Sequence, residues 1–199
     1  MKYQLILDTS SKYLVVGLAK EEELIAVIQY EAWQRQSEVA MQEIEKILKE
    51  NNVDIKDVNK VIVSKGPGSY TGIRIALTIA KVLGLVRNVD VITLSSLEIF
   101  IKPKGKYISL LDARSKRAYI GVYEDGLEVM KECVLTLDEI KEYISLHQDY
   151  KLVGEVRVLG LKEKDENLAL NMLEISKLKE KVSDINSLVP TYLKDTYDN

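Results

Sequence analysis

The most extended apolar pattern of the chain covers residues 73–86, where hydrophobic residues occupy almost every position. Arg74, Thr78 and Lys81, spaced four and then three residues apart, form one narrow polar stripe. A helix with this pattern must be buried on more than one side. It follows the turn signal GPGS at residues 66–69, in which Ser69 is a suitable N-cap. The pattern therefore predicts a helix over residues 69–86.

Small residues recur at every fourth position of this predicted helix. Such a row forms a shallow ridge on which a second helix can pack closely. The second helix belongs either to the same chain or to a partner subunit, and the pattern favours the partner. The residues expected at this interface are Gly68, Ser69, Tyr70, Thr71, Gly72, Ile73, Ala76, Leu77, Ala80 and Gly84.

The pattern near the start of the chain recurs in its second half. ILDTSSKYLVVG at residues 6–17 and LLDARSKRAYIG at residues 110–121 share five identities in twelve positions. Each copy predicts a strand that ends in Asp, a polar turn, a second strand, an acidic turn and a third apolar run. Both halves are therefore expected to open with the same three-stranded antiparallel unit. Repetition on this scale indicates a duplicated fold.

The rest of the chain predicts alternating helices and buried strands. Apolar residues at helical spacing indicate helices, and short wholly apolar runs indicate strands of the parallel type. SSLE at residues 95–98 and TLDE at residues 136–139 have the spacing of capping boxes. The predicted helices cover residues 34–49, a short segment from 95, 136–145 and 168–181. The predicted strands cover residues 61–63, 89–94 and 151–154. The apolar tail at residues 189–193 is expected to dock on the body.

This β-β-β-α-β-α-β order, used twice, is the layout of the duplicated α/β fold of the actin-like class (ASKHA, ribonuclease H-like), which includes actin and the sugar kinases. Pro103 and Gly105 mark the predicted joint. We therefore expect an N-terminal subdomain of residues 1–102, which binds a partner, and a smaller C-terminal subdomain of residues 103–199. In this fold a nucleotide binds between the halves, cradled by the two hairpin turns.

Composition and charge narrow the functional classes. The 199 residues carry a net charge of −3, without the basic surplus that is usual in a dedicated nucleic-acid binder. The first residues lack the pattern of a signal peptide, and no apolar run reaches the length of a membrane span, so we expect a cytoplasmic protein without membrane contact. Cys133 is the only cysteine, which excludes an internal disulfide and a cysteine-rich metal site.

The candidate chemistry of the two hairpin turns is weak. Neither turn contains the glycines that let backbone N–H groups approach phosphate oxygens. Asp8 and Asp112 stand where the fold often places a magnesium-linked carboxylate, but an Asp at a strand end is as often a turn-former. An ATP-dependent phosphotransferase is therefore the alternative function. His147, the only histidine, is expected to be exposed. A zinc-binding helix would need two histidines, and a Ser-His or Cys-His pair would need the histidine beside its nucleophile.

Two basic clusters remain. Lys102, Lys104 and Lys106 lie at the predicted joint, and Arg114, Lys116 and Arg117 lie on the second hairpin. Together they either contact a polyanion such as tRNA or form an ordinary solvated surface, and the solvated surface is favoured.

Four segments together make the chain similar to the bacterial TsaB (YeaZ) family, and the resemblance spans nearly the whole chain. These segments are LILDTSSKYLVVGLA, SKGPGSYTGIRIALTIAKVLGL, LLDARSKRAYIGVY and VPTYL. The resemblance implies the actin-like fold and a non-catalytic scaffold for the TsaD-type transferase. With the TsaE-type ATPase, this complex forms threonylcarbamoyladenosine next to the anticodon of tRNAs. The family pairs with itself when alone, and tRNA contact is expected to be indirect or weak.

The resemblance also predicts which groups are missing. The segment equivalent to the metal-bearing helix of the TsaD-type transferase is RQSEVA at residues 35–40, which contains no histidine. Gln36 stands where relatives often keep one. We therefore expect no catalytic residue, no metal ligand and no cofactor in this chain, and we interpret it as an inactive paralogue of the transferase.

Overall fold

A computed structural model of the protein describes residues 2–32 and 35–193. It contains two mixed sheets, with strand orders β3-β2-β1-β4-β5 and β8-β7-β6-β9. The elements of the first sheet and its flanking helices are β1 (Tyr3–Asp8), β2 (Tyr13–Lys20), β3 (Glu23–Glu31), α1 (Gln36–Glu50), β4 (Val58–Ser64), α2 (Tyr70–Arg87) and β5 (Asp90–Leu94). The second half contains β6 (Lys106–Arg114), β7 (Arg117–Glu124), β8 (Leu127–Thr136), α3 (Leu137–Leu146), β9 (Lys151–Gly154) and α4 (Leu168–Ser176).

The duplicated unit predicted from the sequence is confirmed. Strands β1, β2 and β3 form an antiparallel meander, and β6, β7 and β8 form a second one. In each half the next strand then pairs in parallel with the first strand of the meander, β4 with β1 and β9 with β6. The two turns that follow β1 and β6 therefore occupy equivalent positions in the two halves.

The first sheet is covered on both faces. Helices α1 and α2 pack on one face, where the buried side chains of α1 are spaced as the sequence predicts. Helix α4, from the C-terminal part of the chain, packs on the opposite face. There Ala169 lies so close to Gly17 that a Cβ at Gly17 would be 2.9 Å from the Cβ of Ala169. The core around the first sheet thus includes residues from both ends of the chain.

Most of the predicted helices agree with the structure. Helix α3 begins with the expected capping box, in which Thr136 and Glu139 bond reciprocally. Helix α1 matches the prediction for residues 34–49, of which Gln34 lies outside the described residues. Ser69 caps α2 through a 3.2 Å bond from the Gly72 N–H to its Oγ.

Two helix predictions need correction. The segment after SSLE forms a single 3-10 turn at Glu98–Phe100, although the Ser95 N–H does donate to the Glu98 carboxylate at 2.8 Å. Helix α4 ends at Ser176 instead of residue 181. Beyond it Lys179 and Lys181 leave the helix to pair with Glu98 and Asp90.

Residues 177–193 form a C-terminal strap that runs along the edge of β5 to helix α2. The Val182 N–H donates to the Val91 carbonyl oxygen at 2.8 Å, and the Thr191 N–H donates to that of Lys65 at 2.7 Å. Leu188 is buried in the same core as α1 and α2. The bond from Thr191 supports the prediction that the apolar tail docks on the body, although Val189 and Tyr192 in that tail are exposed.

Candidate functional site

The glycine-rich loop of residues 66–72 packs backbone to backbone against the first hairpin turn. The Ser69 N–H donates to the Ser10 carbonyl oxygen at 2.7 Å, and the Thr9 hydroxyl donates to that of Gly72 at 2.6 Å. A Cβ at Gly68 would lie 2.2 Å from the Ser10 oxygen, and one at Gly72 would lie 1.8 Å from the Thr9 oxygen. These two positions therefore require glycine for contact within the chain.

Asp8 ends β1 and is fully buried beneath this turn. Its Oδ1 accepts bonds from the Ser10 N–H at 3.1 Å, from the Ser10 hydroxyl at 2.6 Å and from the Ser64 hydroxyl. Its Oδ2 has no hydrogen-bond partner among residues 2–32 and 35–193. In the second turn the Asp112 carboxylate likewise accepts the Arg114 N–H, at 2.8 Å. Both aspartates thus act as turn-formers, which is one of the two interpretations of the sequence.

Burial raises the pKa of Asp8, although the bonds from Ser10 and Ser64 act in the opposite direction. A carboxyl whose pKa is higher in the folded state binds its proton more tightly there, so stability is lost as the pH rises through that pKa. We expect Asp8→Asn, which does not ionise, to gain stability relative to the wild type as the pH rises above about 4, the ordinary pKa of an aspartate. Urea unfolding at several pH values tests this. A stability difference independent of pH would contradict it, and Asp138→Asn on exposed α3 is the control.

The two hairpin turns face each other across a cleft of about 350 Å³. Glu155, which follows β9, lies between them and is only 7% exposed. Its carboxylate accepts the Asp112 N–H at 2.8 Å and, more weakly, the Lys12 N–H at 3.5 Å. Burial raises the pKa of Glu155, and these two bonds partly offset the rise. Other residues that line the cleft are Ser10, Ser11, Gln36, Ser69 and Arg114.

An ionic cluster closes one side of the cleft. The Lys12 ammonium bonds Glu163, and it lies 2.9 Å from a carboxylate oxygen of Glu31. Burial alone would lower the pKa of Lys12, but the bonds to Glu163 and Glu31 raise it overall. Arg157 is 3.6 Å from Glu163 and 3.7 Å from Glu31. The cluster links β3 and the first turn to the segment after β9, so it ties the two halves together.

The predicted interface residues divide into two groups. Gly68 is half-buried, and Ser69, Tyr70 and Thr71 are exposed. The other six are buried within the chain itself, so the expectation that the small-residue row lies open to a partner is wrong. At one end of the row Thr9 covers Gly72, and at the other a Cβ on Gly84 would lie 3.1 Å from the side chain of Ile185 in the C-terminal strap. The six buried residues are Gly72, Ile73, Ala76, Leu77, Ala80 and Gly84.

The open apolar face of α2 is on its other side, which the sequence analysis missed. Val82, Leu85 and Val86 are 53%, 56% and 74% exposed. Val82 lies four residues after Thr78, and Leu85 lies seven residues after it. Because residues at these spacings share one side of a helix, the three apolar side chains lie on the side that carries Arg74 and Thr78. A helical wheel centred on that polar stripe would have found them. Tyr70, at the start of the helix, stacks on Tyr192 of the strap with ring centroids 5.4 Å apart.

The remaining candidates do not form a site. The two basic clusters lie at opposite ends of β6, so they cannot form one patch as the polyanion interpretation assumed. Lys106 is paired with Asp149 at 2.9 Å and Glu124 at 3.3 Å. His147 is half-buried instead of exposed, because its ring stacks on Tyr143 at 4.0 Å.

Two further findings concern residues 2–32 and 35–193. Within these ranges no three His, Cys, Asp or Glu side chains form a group suited to holding a metal ion. None of the helices described there combines the length and the apolar composition that a membrane crossing requires.

The repeated meander with its parallel strand, and the two hairpin turns that face each other across a cleft, define a protein of the actin-like class. Superposition on YeaZ from Pseudomonas aeruginosa covers 97% of this chain and all of that one, with a TM-score of 0.74 and 20% sequence identity. A family model described as TsaD, tRNA N6-adenosine threonylcarbamoyltransferase, matches residues 27–195.

Sequence comparison agrees with the fold. The chain is 28% identical over 215 residues to the tRNA threonylcarbamoyladenosine biosynthesis protein TsaB of Bacillus subtilis, and the match covers 96% of this chain and 93% of the relative. It is 30% identical over 200 residues to an uncharacterized protein of Mycoplasma genitalium, and that match covers 98% of this chain and 96% of the relative. The chain belongs to the TsaB (YeaZ) family.

Proposed function

We propose that this chain is the non-catalytic scaffold subunit of the complex that forms threonylcarbamoyladenosine on tRNA. Its partner in this proposal is a TsaD-type transferase. The observation that carries the proposal is the exposed apolar face of α2, formed by Val82, Leu85 and Val86. Contiguous exposed apolar side chains on a protein surface commonly mark a protein–protein interface. The naming of relatives as threonylcarbamoyladenosine biosynthesis proteins supports the pathway.

The chemistry of the cleft supports a role without catalysis. Gln36, at the position of the expected metal-bearing helix, is buried, and its amide donates to the Ser11 carbonyl oxygen at 2.9 Å. The N–H groups of Lys12 and Asp112 in the two turns are bonded to Glu155. The alternative of an ATP-dependent phosphotransferase would need such donors for phosphate, so the turns do not favour it.

The same exposed face of α2 can serve a second copy of the chain when the partner is absent. Pairing with itself and pairing with the transferase would then compete for one surface. A TsaE-type ATPase and the tRNA would act on the assembled complex, with little direct contact to this chain.

Val82→Glu tests the docking face, because it places a charge in the interface without touching the core. An unpaired buried charge costs about 3 kcal/mol or more, so we expect the Kd for the TsaD-type transferase to rise about 100-fold or more. Light scattering on size-exclusion chromatography of the mixed subunits measures this. Ala76 and Ala80 are unsuitable for the test because both are buried in the fold.

The matched control is Val129→Glu on β8, because Val129 is also 53% exposed. We expect this variant to bind the transferase as the wild type does. If Val82→Glu folds and still forms the complex with unchanged affinity, the proposed docking face is wrong.

A further inference from the structure

One carboxylate in the cleft receives backbone donors from both halves of the molecule. Glu155 accepts the Asp112 N–H of the second turn at 2.8 Å and the Lys12 N–H of the first turn at 3.5 Å. The two donors are 100 residues apart in the sequence, yet they converge on the side chain of a third segment. Backbone N–H groups that point at a common position form a site for an anion.

The backbone before Glu155 holds its side chain in this place. Gly154 has φ of +87°, and a Cβ there would lie 2.2 Å from the Leu110 carbonyl oxygen. The Glu155 N–H donates to that same oxygen at 2.8 Å, which extends the pairing of β9 with β6 by one residue. Only glycine at position 154 therefore allows the chain to turn so that residue 155 enters the space between the hairpin turns.

Charged groups of both signs surround this carboxylate. Positive charge is near, since Lys12 interacts electrostatically with Glu155 and the Arg114 side chain is among those that line the cleft. The Asp112 carboxylate opposes them. The cleft of about 350 Å³ adjoins Glu155, so removal of its side chain would open this position to small solutes.

We propose that the cleft contains an oxyanion site that is occupied by the chain's own Glu155. The carboxylate stands where one oxyanion group of a phosphate-type ligand would accept the two N–H bonds. The wild type therefore takes up no phosphate at this position, and the protein becomes a phosphate binder when this side chain is shortened. This inference does not depend on the proposed scaffold function, because it concerns a different part of the molecule.

The test is thermal unfolding and calorimetric titration of Glu155→Ala with inorganic phosphate. A ligand that binds only the folded state raises its melting temperature by mass action. With about 10 mM phosphate and a Kd of about 1 mM, we expect the Tm of Glu155→Ala to rise by about 3 °C or more. We expect no rise for the wild type.

Glu163→Ala is the matched control, because it removes a neighbouring carboxylate that bonds Lys12 but accepts neither turn N–H. We expect it not to bind phosphate. If Glu163→Ala binds as well as Glu155→Ala, the effect is general electrostatics and the proposal is wrong. The proposal also fails if folded Glu155→Ala binds no phosphate, or if the wild type binds it equally well.

Glu155→Gln keeps the volume of the side chain and provides a second measurement if the alanine variant does not fold. Loss of the charge weakens both hydrogen bonds, since bonds to an ionised acceptor are the stronger ones. We expect the amide protons of both Lys12 and Asp112 to move upfield in the 1H–15N spectrum. An unchanged resonance at either residue would overturn the proposal.

Discussion

Gly72→Ala is expected to destabilise the folded state by more than about 3 kcal/mol, which exceeds the usual cost of overpacking. A Cβ at this position would lie 1.8 Å from the Thr9 carbonyl oxygen and 2.9 Å from its carbon. These are backbone atoms of a fully buried turn, so no side chain can move aside. Urea unfolding followed by circular dichroism measures the loss.

Gly84→Ala is the control for this prediction, because it makes the same change in the same helix. The three atoms nearest to its Cβ would all belong to the Ile185 side chain, at 3.1 to 3.3 Å, and this side chain is able to shift. Alanine also favours a helix over glycine by about 1 kcal/mol, so we expect a change within about 1 kcal/mol of zero. Equal losses in the two variants would show that contact with the Thr9 backbone is not the cause.

Lys12→Met is expected to cost about 2 to 4 kcal/mol of unfolding free energy, because two partly buried carboxylates lose their nearest cation and keep only the more distant Arg157. The Lys12 side chain is 4% exposed, and its two partners Glu163 and Glu31 are 16% and 36% exposed. The larger exposure of Glu31 lowers the expected cost through solvent screening. Methionine has a similar length, so the loss reports on charge more than on volume.

Lys106→Met is the matched surface control. Lys106 also contacts two carboxylates, those of Glu124 and Asp149, but its side chain is 46% exposed. Exposed pairs contribute about 0 to 1 kcal/mol, so we expect a small change. If chemical denaturation gives the same loss for Lys12→Met as for Lys106→Met, the buried cluster does not stabilise the contact between the halves.

The sequence predicted those features of the fold that depend on local patterns. The repeated meander was predictable because strand alternation and turn residues recur in both halves. The capping box at Thr136 and Glu139 was predictable because all of its atoms lie within four residues. Helix α4 was predicted too long, since the lysines after Ser176 fit a helix equally well until their distant partners are known.

The candidate site depended on contacts that no local pattern contains. The small-residue row of α2 correctly indicated close packing, but spacing alone does not reveal whether the neighbour is Thr9, Ile185 or another protein. The two turns have related sequences, yet the first is buried under the glycine-rich loop while residues 114–116 of the second are exposed. The bond between Glu155 and Lys12 joins residues 143 positions apart.

The route of the C-terminal part has a consequence for how the protein is made. Helix α4 covers one face of the first sheet, and Leu188 packs with α1 and α2 on the opposite face. During synthesis on the ribosome, the first strands therefore emerge long before the segments that cover them. Their apolar surface stays incompletely covered until Leu188 has been translated, so the early nascent chain is the stage at which chaperone binding is most needed.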